Sequence, residues 1–174
     1  MKIVAVVGTS HKYQKANREV SAEAVSAFKS HLINLCTKHS VNQISEEFNL
    51  EALKEQGLSS SVAEQVAGDL NIKHQYADPD RSQRRRLGIR QENDIRAENF
   101  MDGLEGEALE KHIDERMTEY YRIREGYWCD MIESTGIWPT LFICGANHFD
   151  SFCELLALRG VTVMKEDSDW ELTS

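Results

Sequence analysis

The apolar positions along the chain fall into short unbroken runs separated by longer stretches with helical spacing. Val4-Ala5-Val6-Val7 and Leu141-Phe142-Ile143-Cys144 are the clearest runs. Such runs, bounded by polar residues, read as strands buried on both faces, as in a parallel sheet. Between them, Val25, Phe28, Leu32 and Leu35 recur at three and four residues. They predict one buried stripe of a helix over about 21–38, with Ser21 as N-cap and Glu23 in its first turn. Val62, Val66 and Leu70 mark a helix face within about 49–70, a stretch broken near Gly57 to Ser61. Leu109, Ile113, Met117, Tyr120, Ile123, Tyr127 and Met131 predict a long helix over about 107–134, ended by Gly136 and Pro139. A last helix, about 149–158, carries Phe149, Phe152, Leu155 and Leu156 and stops at Gly160.

Strands are predicted at about 2–8, 41–48, 71–76, 141–145 and 161–164. Strands alternating with helices imply parallel strands joined by crossovers. The expected fold is therefore α/β, a three-layer sandwich. It has a mostly parallel central sheet of about five strands and helices on both faces, in a single domain over 1–174. The pattern leaves strand order open. Ser10 to Arg18 is polar and reads as a loop. Residues 81–107 are highly charged with few large apolar groups, and read as a lid-like insertion with short helical turns. The acidic tail, Lys165 to Ser174, reads as loose.

Composition narrows the function classes. At 174 residues the chain can bury a core. Its net charge of −9 argues against a general nucleic-acid surface, which needs clustered cations, with Arg84-Arg85-Arg86 a local exception. No apolar run approaches the ~20 residues of a membrane helix, and no leader precedes the first strand. The four cysteines, Cys36, Cys129, Cys144 and Cys153, lack a C-x-x-C spacing. They read as buried reduced thiols of a cytoplasmic protein.

Chemistry concentrates at two strand ends. Val7-Gly8-Thr9-Ser10-His11 and Ile143-Cys144-Gly145-Ala146-Asn147-His148 both read as strand, Gly, two small or polar residues, His. Ligands of open α/β sheets bind beyond the carboxyl ends of the strands. Neighbouring parallel strands would bring His11 and His148 within reach of one ligand or ion. Glu46 and Glu47 close the second strand, and strand alternation lets only one of them face the site. A carboxylate beside two imidazoles is either a general base or an N/O metal site. Asp78 and Asp80 close the third strand, but Asp beside Pro79 is also ordinary turn chemistry. Arg122 and Arg124 sit on the long helix before Tyr127-Trp128, where an arginine fork can hold an oxyanion. Arg116 reads as solvated. Arg81, Arg84, Arg85, Arg86 and Arg90 either bind an anion or, preferably, offset nearby acids. His31, His39, His74 and His112 read as ordinary core or surface histidines.

These stretches together resemble the TIKI/TraB superfamily, which also takes in the erythromycin esterases and the haem-associated ChaN proteins. The matching segments are Val7 to His11, Ile44-Ser45-Glu46-Glu47-Phe48, Arg124-Glu125-Gly126-Tyr127-Trp128 and Ile143 to His148. The chain is similar to a small, divergent member, with either glutamate as the match. The resemblance implies an α/β fold with a hydrolase site at the strand ends, either peptidase-like with a metal or esterase-like with a histidine activating water. The expected function is thus a hydrolase acting on a small-molecule or peptide substrate. His11 and His148, with Glu46 or Glu47, activate water directly or as ligands of a divalent metal ion, and Arg124 stabilises the developing anion. The alternative is a non-catalytic pocket for an anionic or nucleotide-like ligand, although both the P-loop and the G-x-G-x-x-G fingerprint are absent. A protein-interaction role for the long helix is a third reading, better explained by packing.

Overall fold

The computed structural model describes residues 1–15, 20–90, 92–103 and 105–172. Residues 16–18 of the expected first loop, Gln91 and Leu104 of the charged segment, and Thr173 and Ser174 of the tail lie outside the described residues. The five strands are β1 (Ile3–Thr9), β2 (Gln43–Glu46), β3 (Lys73–Tyr76), β4 (Thr140–Gly145) and β5 (Thr162–Lys165). All pair in parallel, in the order β3-β2-β4-β1-β5. The α-helices among the described residues are α1 (His11–Lys15), α2 (Ala22–Lys38), α3 (Leu50–Glu55), α4 (Val62–Asp69), α5 (Arg81–Arg86), α6 (Glu92–Asp102), α7 (Gly106–Thr135) and α8 (Phe149–Leu158). No helix among them is long and apolar enough to cross a membrane.

The unbroken apolar runs are buried on both faces, as their lack of alternation requires. Val4 to Val7 and Leu141 to Cys144 are all fully buried. Ala5, Val7, Leu141, Ile143 and Ile44 point to one face, where Phe28, Leu32 and Leu35 of α2 and Val62, Ala63 and Val66 of α4 cover them. Val4, Val6, Phe142 and Cys144 point to the other, under Trp128, Cys129 and Ile132 of α7 and Phe152, Cys153 and Leu156 of α8. The sheet therefore lies between two helical layers.

This arrangement places a crevice. The helices that follow β1 and β2 lie on one face, and the helix that follows β4 lies on the other. β4 is flanked by β1 and β2, so the chain leaves it in the direction opposite to both neighbours. Diverging connections open a gap above the carboxyl ends of such strands.

Four expectations change. Residues 11–15 form a helical turn rather than a loop, because Tyr13 packs on Phe28 and Trp170 and Gln14 is fully buried. The charged 81–107 stretch is not an open loop. α5 starts on an Asp80 capping box with Gln83, and α6 packs Ile95 against Ile113 and Tyr120 of α7. The buried stripe of α7 also differs from the apolar count. Beyond Tyr120 it runs through Glu125, Trp128, Cys129 and Ile132, while Ile123 is exposed. Finally, the tail is anchored. Gly8 N–H donates to Asp167 O and Trp170 N–H to Gly8 O, and Trp170 packs among Tyr13, Phe28 and His31.

Gly8 is required by that anchoring. A Cβ there would lie 2.0 Å from the Ser168 carbonyl oxygen. Gly8→Ala should force the tail off β1 and cost about 1–3 kcal/mol, the usual penalty of overpacking. Urea unfolding followed by tryptophan fluorescence checks this. An unchanged midpoint would mean that the tail is not held where Ser168 crosses Gly8.

Candidate functional site

β1 and β4 run in register, with Gly8 beside Cys144 and Thr9 beside Gly145. Each strand then turns at once into a short helical segment, α1 after β1 and a 3-10 turn over Ala146–His148 after β4. The two motif glycines are thus offset by a single register step, and equal spacing from them brings both histidines to one sheet end. β2 pairs with the other edge of β4, and the Glu47 N–H donates to Ile143 O, so Glu47 emerges between them. A cleft of about 420 Å³ is lined by Thr9, His11, Glu47, Tyr121, Arg124 and His148, with Asp169 and Glu171 of the tail at its rim.

Glu47 is the centre of the group. Its side chain is nearly fully buried, and the His11 and His148 Nε2 atoms lie 3.7 and 3.6 Å from its Oε1. The same oxygen accepts from Arg124 Nη2 at 2.7 Å, and Oε2 accepts from the Gly145 N–H at 2.8 Å. Gly145 has a steric role as well. A Cβ there would lie 3.2 Å from His11 Nε2 and 3.3 Å from Glu47 Oε2. The two motif glycines thus serve close approach, Gly8 to the tail and Gly145 to the site.

Each imidazole is held at Nδ1 by a buried partner. His148 Nδ1 lies 2.8 Å from Glu125 Oε1, which also accepts from Ser151 Oγ at 2.7 Å. Burial pushes the Glu125 carboxyl up, but hydrogen bonds from His148, Ser151 and Arg122 outweigh it and hold it below its ordinary range. Glu125 is thus a carboxylate, an acceptor only, and His148 Nδ1 carries the proton toward it. The ring is wedged edge-to-face against Tyr121 and Trp128. His11 Nδ1 lies 2.7 Å from Gln14 Oε1.

Arg124 is fixed from below. Asp78 Oδ1 accepts from its Nε and Nη2 at 3.1 and 2.7 Å, and from Trp128 Nε1 at 3.1 Å. Asp78 also pairs with Arg84 through Oδ2. Burial pushes Asp78 up, yet Arg124 and Arg84 outweigh it and hold it below the usual carboxylate range. Burial likewise opposes the Arg124 charge, and Asp78 and Glu47 overcome that and raise its pKa.

The expected residues therefore divide. His11, Glu47, Arg124 and His148 share one cleft. Glu46 does not reach it, because alternation turns its fully buried side chain to the opposite side. There it accepts from Ser61 Oγ, lies 2.8 Å from His74 Nε2 and accepts from Gln14 Nε2 at 3.2 Å. Asp78 positions Arg124, and Asp80 only caps α5. Arg122 pairs with Glu125 and Arg116 with Glu119. Of the basic cluster, Arg81, Arg84 and Arg90 pair with Glu55, Asp78 and Glu98. The four cysteines are free and buried. Burial pushes the thiols of Cys36 and Cys129 to about 12 and that of Cys153 to about 11, which removes them as nucleophiles.

Gln14, Glu125 and Tyr121 were not picked out by sequence reasoning. Gln14 stands three residues after His11, a helical spacing hidden by reading that segment as a loop. Glu125 lies beside Arg124 on a helix where charged residues pass as surface.

The carboxylate that a divalent metal ion would take here is already engaged. Among the described residues no group of three or more His, Cys, Asp or Glu side chains is placed to hold one. Glu47 is the single carboxylate between the imidazoles, and both its oxygens already accept N–H bonds, one from a guanidinium. Comparison of the chain with protein-family models, with curated proteins and with solved structures returns no match.

Since Asp78 titrates below its unfolded value, its stabilisation is complete above about pH 4 and is lost as pH falls through the folded value. Asp78→Asn should be less stable than wild type at pH 6, and the difference should shrink on acidification. Urea midpoints from pH 6 down to 2 measure it. A constant difference at every pH would sink the assignment.

Proposed function

We propose that the chain is a metal-independent hydrolase in which paired histidines activate water at the crevice above β1, β4 and β2. The observation that carries this reading is the convergence of two Nε2 atoms on Glu47 Oε1, at 3.7 and 3.6 Å, with both Nδ1 atoms held from behind. An imidazole with its proton on Nδ1 presents a lone pair at Nε2. Two such lone pairs suit the two hydrogens of one water molecule.

In this mechanism the water oxygen attacks an ester or amide carbonyl carbon. His148 Nε2 takes its proton, and Glu125 stabilises the resulting imidazolium through Nδ1. Charge moves onto the carbonyl oxygen. Arg124 faces the cleft, and its Nη1 has no protein acceptor among the described residues, so this group can hold the oxyanion. His148 then returns the proton to the leaving group as the carbon–leaving group bond breaks, and the carboxyl product departs. Glu47 keeps Arg124 and the two rings in register.

The resemblance to the TIKI/TraB superfamily points the same way, toward its esterase-like, histidine-dependent members. Capture of an anionic ligand without chemistry is less well supported. The basic cluster lines a different groove together with Glu51 and Glu55, whereas the cleft has Asp169 and Glu171 at its rim.

The test is hydrolysis of an activated aryl ester, p-nitrophenyl acetate, and of a short unstructured peptide, each with and without EDTA. Turnover should be unchanged by the chelator and should fall by about 10²–10⁴-fold in His148→Ala, the range for loss of a general base. Glu125→Gln should lower kcat more than it changes KM. Full activity in His148→Ala, or activity abolished by EDTA, would overturn this mechanism.

A further inference from the structure

The side of β2 turned away from the cleft holds a second polar cluster that the proposed hydrolysis does not use directly. Glu46 is its hub. Both carboxylate oxygens are fully buried and both are engaged, Oε1 by Ser61 Oγ and His74 Nε2, Oε2 by Gln14 Nε2. Gln14 is also fully buried, and its amide stands between Glu46 and His11. A carboxyl group with no exposed surface has to be satisfied wholly by protein partners.

We propose that Glu46 and Gln14 are positioning residues that fix the tautomer of His11, and through it the direction of the water. This inference rests on His11 serving the site as proposed above. The logic is one of donors and acceptors. A carboxylate has no donor, so the Gln14 amide must turn its NH₂ group toward Glu46. Its carbonyl oxygen then faces His11 Nδ1 at 2.7 Å and accepts a proton from it. With the proton on Nδ1, the Nε2 lone pair is left facing the cleft beside Glu47. An acceptor on one side of the sheet thereby dictates an acceptor on the other, through an amide that relays polarity without carrying charge. His148 reaches the same state directly, through Glu125.

The relay makes a prediction that a merely structural role does not. In Glu46→Gln the new amide keeps its oxygen toward the donors Ser61 and His74 and turns its NH₂ toward Gln14. The Gln14 amide then has to flip, present its own NH₂ to His11 and force the imidazole proton onto Nε2. In the exchange variant Glu46→Gln/Gln14→Glu, the new carboxylate at position 14 accepts from both neighbours and restores the proton to Nδ1. The amide and the carboxylate have changed places with no change in composition or net charge.

The experiment is ¹⁵N NMR of the imidazole nitrogens in the full chain at about pH 8, above the ordinary histidine pKa. Wild type should show His11 protonated at Nδ1, Glu46→Gln should show Nε2, and the exchange variant should return to Nδ1. Gln14→Leu removes the acceptor and should give a mixture of tautomers, which serves if Glu46→Gln fails to fold. A wild-type His11 protonated at Nε2 overturns the proposal. So does an unchanged tautomer in Glu46→Gln or in Gln14→Leu. p-Nitrophenyl acetate turnover separates the two readings. If the tautomers switch as expected but no form hydrolyses an ester or the peptide, the relay stands and the hydrolase reading falls. If both hold, kcat should drop at least tenfold in Glu46→Gln and recover in the exchange variant, with KM little changed.

Discussion

The Glu47 carboxylate is the point on which the architecture of this end of the molecule depends. It is 3% exposed, so its charge must be met entirely by the protein. The Gly145 N–H and the Arg124 guanidinium meet it, one from β4 and one from α7. A residue of β2's end thus ties a strand on one side to a helix packed on the opposite sheet face. Arg124 in turn needs Asp78, from the end of β3, and Asp78 needs Arg84 and the Trp128 indole. Removing one member of such a buried set typically costs about 3–5 kcal/mol, because the remaining charges are stranded. The site and the stability of the sheet's carboxyl end are the same interaction.

That constraint explains why the crevice can be polar without being loose. Diverging connections at β4 create the gap, but a gap alone would fill with water. Here its floor is a chain of ion pairs from Glu47 to Arg84, and the His148 ring that lines it is wedged between Tyr121 and the buried Trp128. The tail adds the rim. It crosses Gly8, seats Trp170 against Tyr13 and Phe28, and brings Asp169 and Glu171 to the mouth.

Much of this was legible in the residues because hydrophobic burial writes itself into sequence at fixed periods. The strands with both faces covered, the Ser21-capped helix and the break before Ser61 all follow from such periods. The histidine pair followed from repeated glycine spacing, given parallel strands. What stayed hidden shares one physical feature: a polar residue on a buried face. The α7 stripe includes Glu125, and counting apolar residues alone steered the face toward Ile123, which is exposed. Gln14 lies in a helical turn too short for a period to show. Whether Glu46 or Glu47 entered the site could not be decided without the register to β4, although alternation required that only one would. The tail looked loose because its anchor is a single tryptophan amid acids.

The two imidazoles are alike at Nε2 and unlike behind it, and in the proposed hydrolysis this asymmetry would give them different work. His148 is backed by a buried carboxylate, which favours a ring that becomes positive during reaction. His11 is backed by a neutral amide, which fixes the direction of its proton without offering a full charge to stabilise a cation. His148 is 5% exposed at its side chain and His11 is 43% exposed, so the ring fit to become charged is the one shielded from water. Electrostatic stabilisation by a fixed carboxylate is strongest where solvent is excluded. The exposed ring needs only geometry, and the Glu46–Gln14 pair supplies geometry.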